Sequence, residues 1–288
     1  MNAPDLSLLR HPYHVLHRVV ADSAVIREAG RLPGTALIWR VDPDRYRKLR
    51  RLVERRPGGL SLIVVLPEAT RLDRDVNLIH AIQSCRPHGL LPHHDRLSPR
   101  DAREVLRRPA LDLAADVTDY LEWRGLVVDL ETTHLLRRII ERSGELKSIT
   151  ALARSLYMSR RALGRRLMTR GLPVPSHWLQ LGRLLRLSSL LQNSDDSIAS
   201  IAYGAGYPDG FSLSNQMQRL IGFRPSQVRD YLGWEWVLEA WLRKEAEKGG
   251  LAPSACVEIK EGAKASAPPP ANLPKPRRGR SRRRRRVV

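Results

Sequence analysis

Two short stretches of the chain carry hydrogen-bond donors at spacings that a helix would turn outward together. At about 100° per residue, Arg161, Arg165 and Met168 share one arc of a helix, with Arg160 at its edge. Leu163 and Leu167 fall on the opposite arc. In the second stretch Phe211, Ser212, Asn215, Gln218 and Arg219 share a side opposite Leu213, Met217 and Leu220. A guanidinium pairs bidentately with guanine O6 and N7, an amide suits adenine, and an aromatic ring touches a thymine methyl. The same donors bind phosphate, which with the sugar takes about half to two-thirds of protein–DNA hydrogen bonds. Each stretch therefore has what a recognition helix in a major groove needs: an apolar face to dock it and a donor-rich face for the groove.

The elements that would aim these faces are repeated. The runs SITALARSLYMSRRALGRRL, from Ser148, and SIASIAYGAGYPDGFSLSNQMQRLIGFRPSQVR, from Ser197, lie over each other. Ile149, Leu152, Ala153, Leu163 and Leu167 match Ile198, Ile201, Ala202, Leu213 and Met217, and the second copy has one extra residue in its turn. Ser148 and Ser197 suit the N-caps of supporting helices, Ser159 and Asp209 those of the recognition helices. Small Ala153 lets the two helices of its unit cross closely. Between the copies runs PSHWLQLGRLLRLSSLLQ, with Pro175 suited to a first helical position. As a helix its 18 residues span about 27 Å. Such a spacer would hold two recognition helices near one DNA turn apart, about 34 Å.

With those residues in view, segment 136–229 resembles the DNA-binding domain of the AraC/XylS family of transcription regulators. The likeness rests on Leu152, Ala153, Ser159, Leu163, Arg165 and Leu167 in the first unit and on Arg183, Leu190 and Leu191 in the linking helix. In the second unit it rests on Ile201, Ala202, Gly206, Tyr207, Leu213, Gly222, Pro225 and Arg229. It implies double-stranded DNA as partner, binding at promoters, contact with RNA polymerase, and activation as the usual mode. The chain departs from the family at Asn215 and Gln218, where Arg and Lys are usual, at Leu213 and Met217, where Phe is usual, and at Val228, where Tyr is usual. The arginine-rich first unit is expected to read a G-containing half-site, and the amide-bearing second unit an A/T-leaning one.

Charge agrees with a polyanionic partner. The chain of 288 residues has a net charge of +20. Residues 148–229 carry +8 and residues 251–288 carry +9, whereas the first 147 residues carry only +5. A basic membrane-surface protein is the rival reading of charge alone, but no apolar run approaches the roughly 18 residues of a membrane span. The start lacks the apolar core of a signal peptide. Cys85 and Cys256 lie far apart with no disulfide framework or zinc spacing. The expectation is a soluble protein of the bacterial cytoplasm, located on the nucleoid, without cofactor. No nucleophile–base pair, glycine-rich phosphate loop or metal cluster suggests an enzyme.

The first 125 residues alternate strand and helix: residues 35–41, 60–66 and 89–92 read as strands, and 44–56, 75–85 and 99–108 as helices, the last capped by Ser98. This predicts a small parallel α/β sheet. Residues 35–108 weakly resemble the later half of a receiver domain, but Arg40 stands near the place of its acceptor, and Asp42 and Asp44 lie in a loop. The expected domain is thus a degenerate, receiver-like one for sensing or for homodimer formation. His11, His14 and His17 recur every three residues, as on one side of a helix; surface or packing roles are favoured over metal binding. The full expectation is an α/β domain over 1–125, a connecting helix over 126–147 and an all-α domain with two helix-turn-helix motifs over 148–232. An amphipathic helix over 233–249 follows, striped by Trp234, Leu238 and Trp241, and then a disordered basic tail over 250–288 ending in RRGRSRRRRR. The alternative function is a non-specific architectural DNA-binding protein governed by that tail.

Overall fold

The structure, a computed structural model, describes residues 5–69, 76–94, 96–126, 129–146 and 148–251. The expected basic tail lies, from residue 252 on, outside the described residues.

The N-terminal sheet has five strands in the order β2-β1-β3-β4-β5. They are β1 (Leu6–Leu9), β2 (Leu16–Arg18), β3 (Ala36–Arg40), β4 (Ser61–Val65) and β5 (Gly89–Leu91). β3, β4 and β5 run parallel, as their crossover helices require, but β1 is antiparallel to both β2 and β3. The sheet is therefore mixed, which corrects the expected parallel sheet. The hairpin also overturns the helical reading of the histidines. His11 and His14 lie in its connection and His17 on β2, so they share no helical face. His11 instead packs edge-on against Tyr13 and Tyr231.

β4 is buried on both faces, as its unbroken apolar run requires. Leu37, Trp39, Leu62 and Val64 point to one side, into a core with α1 (Ser23–Ala29), α2 (Tyr46–Glu54) and α3 (Val76–Ser84). Ala36, Ile38, Ile63 and Val65 point to the other, toward Val105 and Leu106 of α4 (Pro99–Arg107) and toward Leu232. Ser98 and Asp101 close a capping box at the start of α4. At the carboxyl ends of the parallel strands, where a receiver gathers its carboxylates, Arg40 donates to the backbone carbonyl of His94. Asp42 accepts from the Asp44 backbone N–H at 2.9 Å. Among the described residues no group of three or more His, Cys, Asp or Glu side chains could hold a metal ion.

From residue 113 on, the elements among the described residues are all helices: α5 (Leu113–Trp123), α6 (Leu130–Arg142), α7 (Ile149–Ser155), α8 (Arg160–Met168), α9 (Pro175–Asn193), α10 (Ile198–Gly204), α11 (Gly210–Ile221), α12 (Pro225–Asp230) and α13 (Glu235–Glu247). These helices share one continuous core that runs from Ala114 to Leu251. Among the described residues no helix is long and apolar enough to cross a membrane.

α13 is buried well beyond the single stripe its sequence suggests. Trp236, Val237, Leu238, Ala240, Trp241 and Leu242 are all covered, and so are Glu235, Glu239 and Glu245. A buried carboxylate needs a partner, and each has one. Glu235 accepts from Ser61 Oγ at 2.9 Å and pairs with His88 at 2.7 Å. Glu239 accepts from Tyr120 Oη at 2.8 Å and pairs with Arg124. Glu245 pairs with His177 at 2.7 Å. Through these three contacts α13 ties the sheet, α5 and α9 together. Burial alone would raise the Glu235 carboxyl, but the His88 and Arg86 cations hold it below its ordinary value. Burial likewise works against the His88 imidazolium, yet the Glu235 charge raises its pKa.

Candidate nucleic-acid interface

Two helix pairs, α7–α8 and α10–α11, have the same local construction. Their supporting helices begin at Ser148 and Ser197, whose hydroxyls accept from the backbone N–H of Ala151 at 3.2 Å and of Ser200 at 3.1 Å. Their second helices begin at Ser159 and Asp209, which accept from the N–H of Ala162 at 3.1 Å and of Ser212 at 2.6 Å. These side chains satisfy amides that the first helical turn leaves without partners. The Ser212 N–H in turn keeps the Asp209 carboxyl below its ordinary pKa.

The turns match bond for bond. In the first, Tyr157 N–H donates to Arg154 O at 3.0 Å and Met158 N–H to Ala153 O at 2.9 Å. In the second, Gly206 N–H donates to Tyr203 O and Tyr207 N–H to Ala202 O, both at 2.9 Å. Tyr157 and Gly206 both take a left-handed backbone, with φ of 53° and 82°. The extra residue of the second copy enters just afterwards, before Asp209. Leu163 and Leu167 of α8, like Leu213 and Met217 of α11, are fully buried.

The opposite faces are open. Arg160, Arg161, Arg165 and Met168 are exposed on α8, and Phe211, Asn215, Gln218 and Arg219 on α11; Ser212 is half-buried. The two groups of donors differ in readiness. Gln218 Nε2 donates to the carbonyl of Gly222 at 3.1 Å and Arg219 to Gln216 Oε1 at 2.6 Å, so both must exchange a bond before reaching a ligand. The guanidinium groups of Arg160, Arg161 and Arg165 have no partner among the described residues.

Four further arginines divide the labour in a way sequence reasoning missed or left open. Arg166 pairs with Glu131 at 2.6 Å and Arg170 with Asp129, which pins the back of α8 to the start of α6. Arg170, with the Thr132 N–H, pushes the Asp129 carboxyl down to about 2. Arg183 donates to the carbonyls of Ser143 and Leu146, at the end of α6. Arg229 donates to those of Leu191 at 3.3 Å and Asp196 at 2.5 Å, at the end of α9. Each helix pair is thus closed by an arginine from the helix that follows it, and these two arginines organise the domain.

The family described as "Helix-turn-helix domain" matches residues 152–231, which run from α7 through α12. A curated relative, the HTH-type transcriptional activator RhaS of Escherichia fergusonii, is 31% identical over 101 residues. The match takes in 35% of this chain and 36% of the relative, so the chain spans about a third of that protein's length. A solved structure of the xylose-binding transcription activator XylR aligns over 65% of this chain and 57% of its own, at 15% identity and a TM-score of 0.34. Residues 152–231 are thus a helix-turn-helix domain, similar to the DNA-binding domains of AraC/XylS-type transcription regulators.

Proposed function

We propose that this chain is a sequence-specific regulator that inserts α8 and α11 into successive major grooves of one promoter site. The observation that carries this reading is the repetition itself: two helix pairs with matching caps, turns and buried residues, each turning polar side chains outward. The 19 residues of α9 between them span about 28 Å, close to the roughly 34 Å of one DNA turn. Arg160, Arg161, Arg165 and Met168 face the first half-site. Phe211, Ser212, Asn215, Gln218 and Arg219 face the second. Guanidinium groups favour guanine, and the amides favour adenine, so the half-sites differ. The α/β domain serves as the sensing or dimer-forming part.

Selection of binding sequences from random duplex DNA tests this, with the full chain at about 150 mM salt, where surface charge is screened over about 8 Å. A bipartite motif with half-sites about 10–10.5 bp apart is the expected outcome. Selection of no motif, with affinity that collapses as salt rises, would favour the architectural reading in which the arginine-rich end governs binding.

A further inference from the structure

Of the fifteen Phe, Tyr and Trp residues in the chain, three are exposed: Tyr157 at 95%, Phe211 at 73% and Tyr203 at 65%. All three lie in the two helix-turn-helix units, beside the turns. Phe211 belongs to the face described above, and Tyr203 ends its supporting helix. Tyr157 differs from both, because its backbone is also left-handed. That region is disfavoured for a residue with a Cβ and is ordinarily given to glycine. The second unit does give it to glycine, Gly206, and makes the same two hydrogen bonds there.

The ring of Tyr157 returns nothing to the fold. It is bare of burial, its hydroxyl has no hydrogen-bond partner and its ring no stacking partner among the described residues. A disfavoured backbone that supports a fully exposed aromatic side chain points to a role outside the folded chain. The surroundings say which. Tyr157 stands two residues before Ser159, the N-cap of α8, on the approach to the unpartnered guanidinium groups of Arg160 and Arg161. A tyrosine suits a sugar–phosphate backbone, since its ring covers deoxyribose while its hydroxyl donates to a phosphate oxygen.

We propose that Tyr157 is a further DNA contact, made to the sugar–phosphate backbone at the edge of the first half-site, and that the turn holds a left-handed tyrosine in order to make it. This rests on the two-groove reading above and adds a register-setting contact to it. A neutral hydroxyl releases no counterion, so its contribution should not alter how affinity depends on salt.

The test uses the full chain and its selected DNA site, with Y157G, Y157F and R160A beside the wild type. Y157G should melt at or above the wild-type temperature, because glycine relieves the backbone. It should bind about tenfold or more weakly, the loss of one hydrogen bond to a charged group with its ring contact. The loss should be alike on matched and mismatched sites, with the slope of log Kd against log salt unchanged. Y157F should fall between the two, and R160A, if its guanidinium meets phosphate, should lower that slope by about 0.9. Wild-type affinity in Y157G would overturn the proposal. So would a lower melting temperature in Y157G, which would give the ring a structural role. If the wild type selects no site, this inference fails together with the two-groove reading. If the wild type selects a bipartite site that Y157G binds equally well, this inference fails alone.

Discussion

The two helix-turn-helix units agree in what builds them and differ in what they turn outward. Their caps, turn bonds and inward residues correspond. Their outward faces do not: one shows guanidinium groups, the other amides and a phenyl ring. Their anchors differ as well. α8 is held from behind by ion pairs to α6. α11 ends at Gly222 in a left-handed cap and packs against α13, with Phe223 edge-on to Trp236 at 5.1 Å. The buried positions and caps specify the unit, which leaves the exposed positions of the second helices free to diverge. The anchors set what each unit is coupled to, and through α13 the second unit is tied to the α/β domain.

That asymmetry of anchoring is broken most severely at Glu235. Glu235→Ala leaves His88 and Arg86 buried without their carboxylate, and removal of one partner of a buried pair costs about 3–5 kcal/mol. Denaturant unfolding should show the loss, and limited proteolysis should open the chain near α13 before α8. Titration gives the sign independently. Glu235 is held below its ordinary 4.5, so its contribution is complete above that value and is lost as pH falls further. His88 is raised above its ordinary 6.5, so its contribution is complete below that value and is lost as pH rises through the elevated pKa. The tie is therefore strongest between these two ordinary values. In the H88Q chain, an alkaline loss that remained as large as in the wild type would sink this account.

The agreement of the buried positions is tested by the pair Leu163→Ala and Leu213→Ala. Both side chains are fully covered, and each truncation should cost about 2–5 kcal/mol. Comparable losses measured by chemical unfolding would support one construction used twice. A large loss in one and almost none in the other would mean that the two cores are not equivalent.

The helical units were legible in the sequence because their information is local. Caps at Ser159 and Asp209, a 3.6-residue period and a repeat were enough. What was not legible depends on partners remote in sequence. β1 and β2 are only four and three residues long, and β1 pairs with a strand that begins at Ala36, so no local pattern marked the antiparallel edge. The three buried glutamates of α13 look like a solvated face until His88, 147 positions away, is seen beside Glu235. Arg166 and Arg170 resemble Arg161 and Arg165 as letters; only Glu131 and Asp129 on α6 tell them apart. Tyr157 was within reach, since the overlay that matched Ala153 to Ala202 also sets Tyr157 against Gly206.

The outward faces are compared by Arg165→Ala and Asn215→Ala. Arg165 should cost about 1–3 kcal/mol of binding and relax one base position in the first half-site. Asn215 should relax a position in the second half-site. Both are read by competition between matched and singly mismatched duplexes. Equal weakening on every duplex would move Arg165 from base to phosphate.

The smallest difference lies in the caps, and it separates the units by pH alone. Ser159 does not ionise, so the start of α8 keeps its cap in acid. Asp209 does, and its folded pKa is lowered by the Ser212 N–H. Its contribution is complete above the ordinary 3.8 and is lost as pH falls below it. The start of α11 should therefore loosen in acid while the start of α8 does not. Amide exchange is the measurement, comparing Ser212 with Ala162 between about pH 5 and pH 3. D209S, a cap of the other unit's kind, should remove the difference, and S159A should cost about 1 kcal/mol at every pH. If Ser212 and Ala162 lose protection together in the wild type, the acid effect belongs to the whole domain and the caps do not distinguish the units.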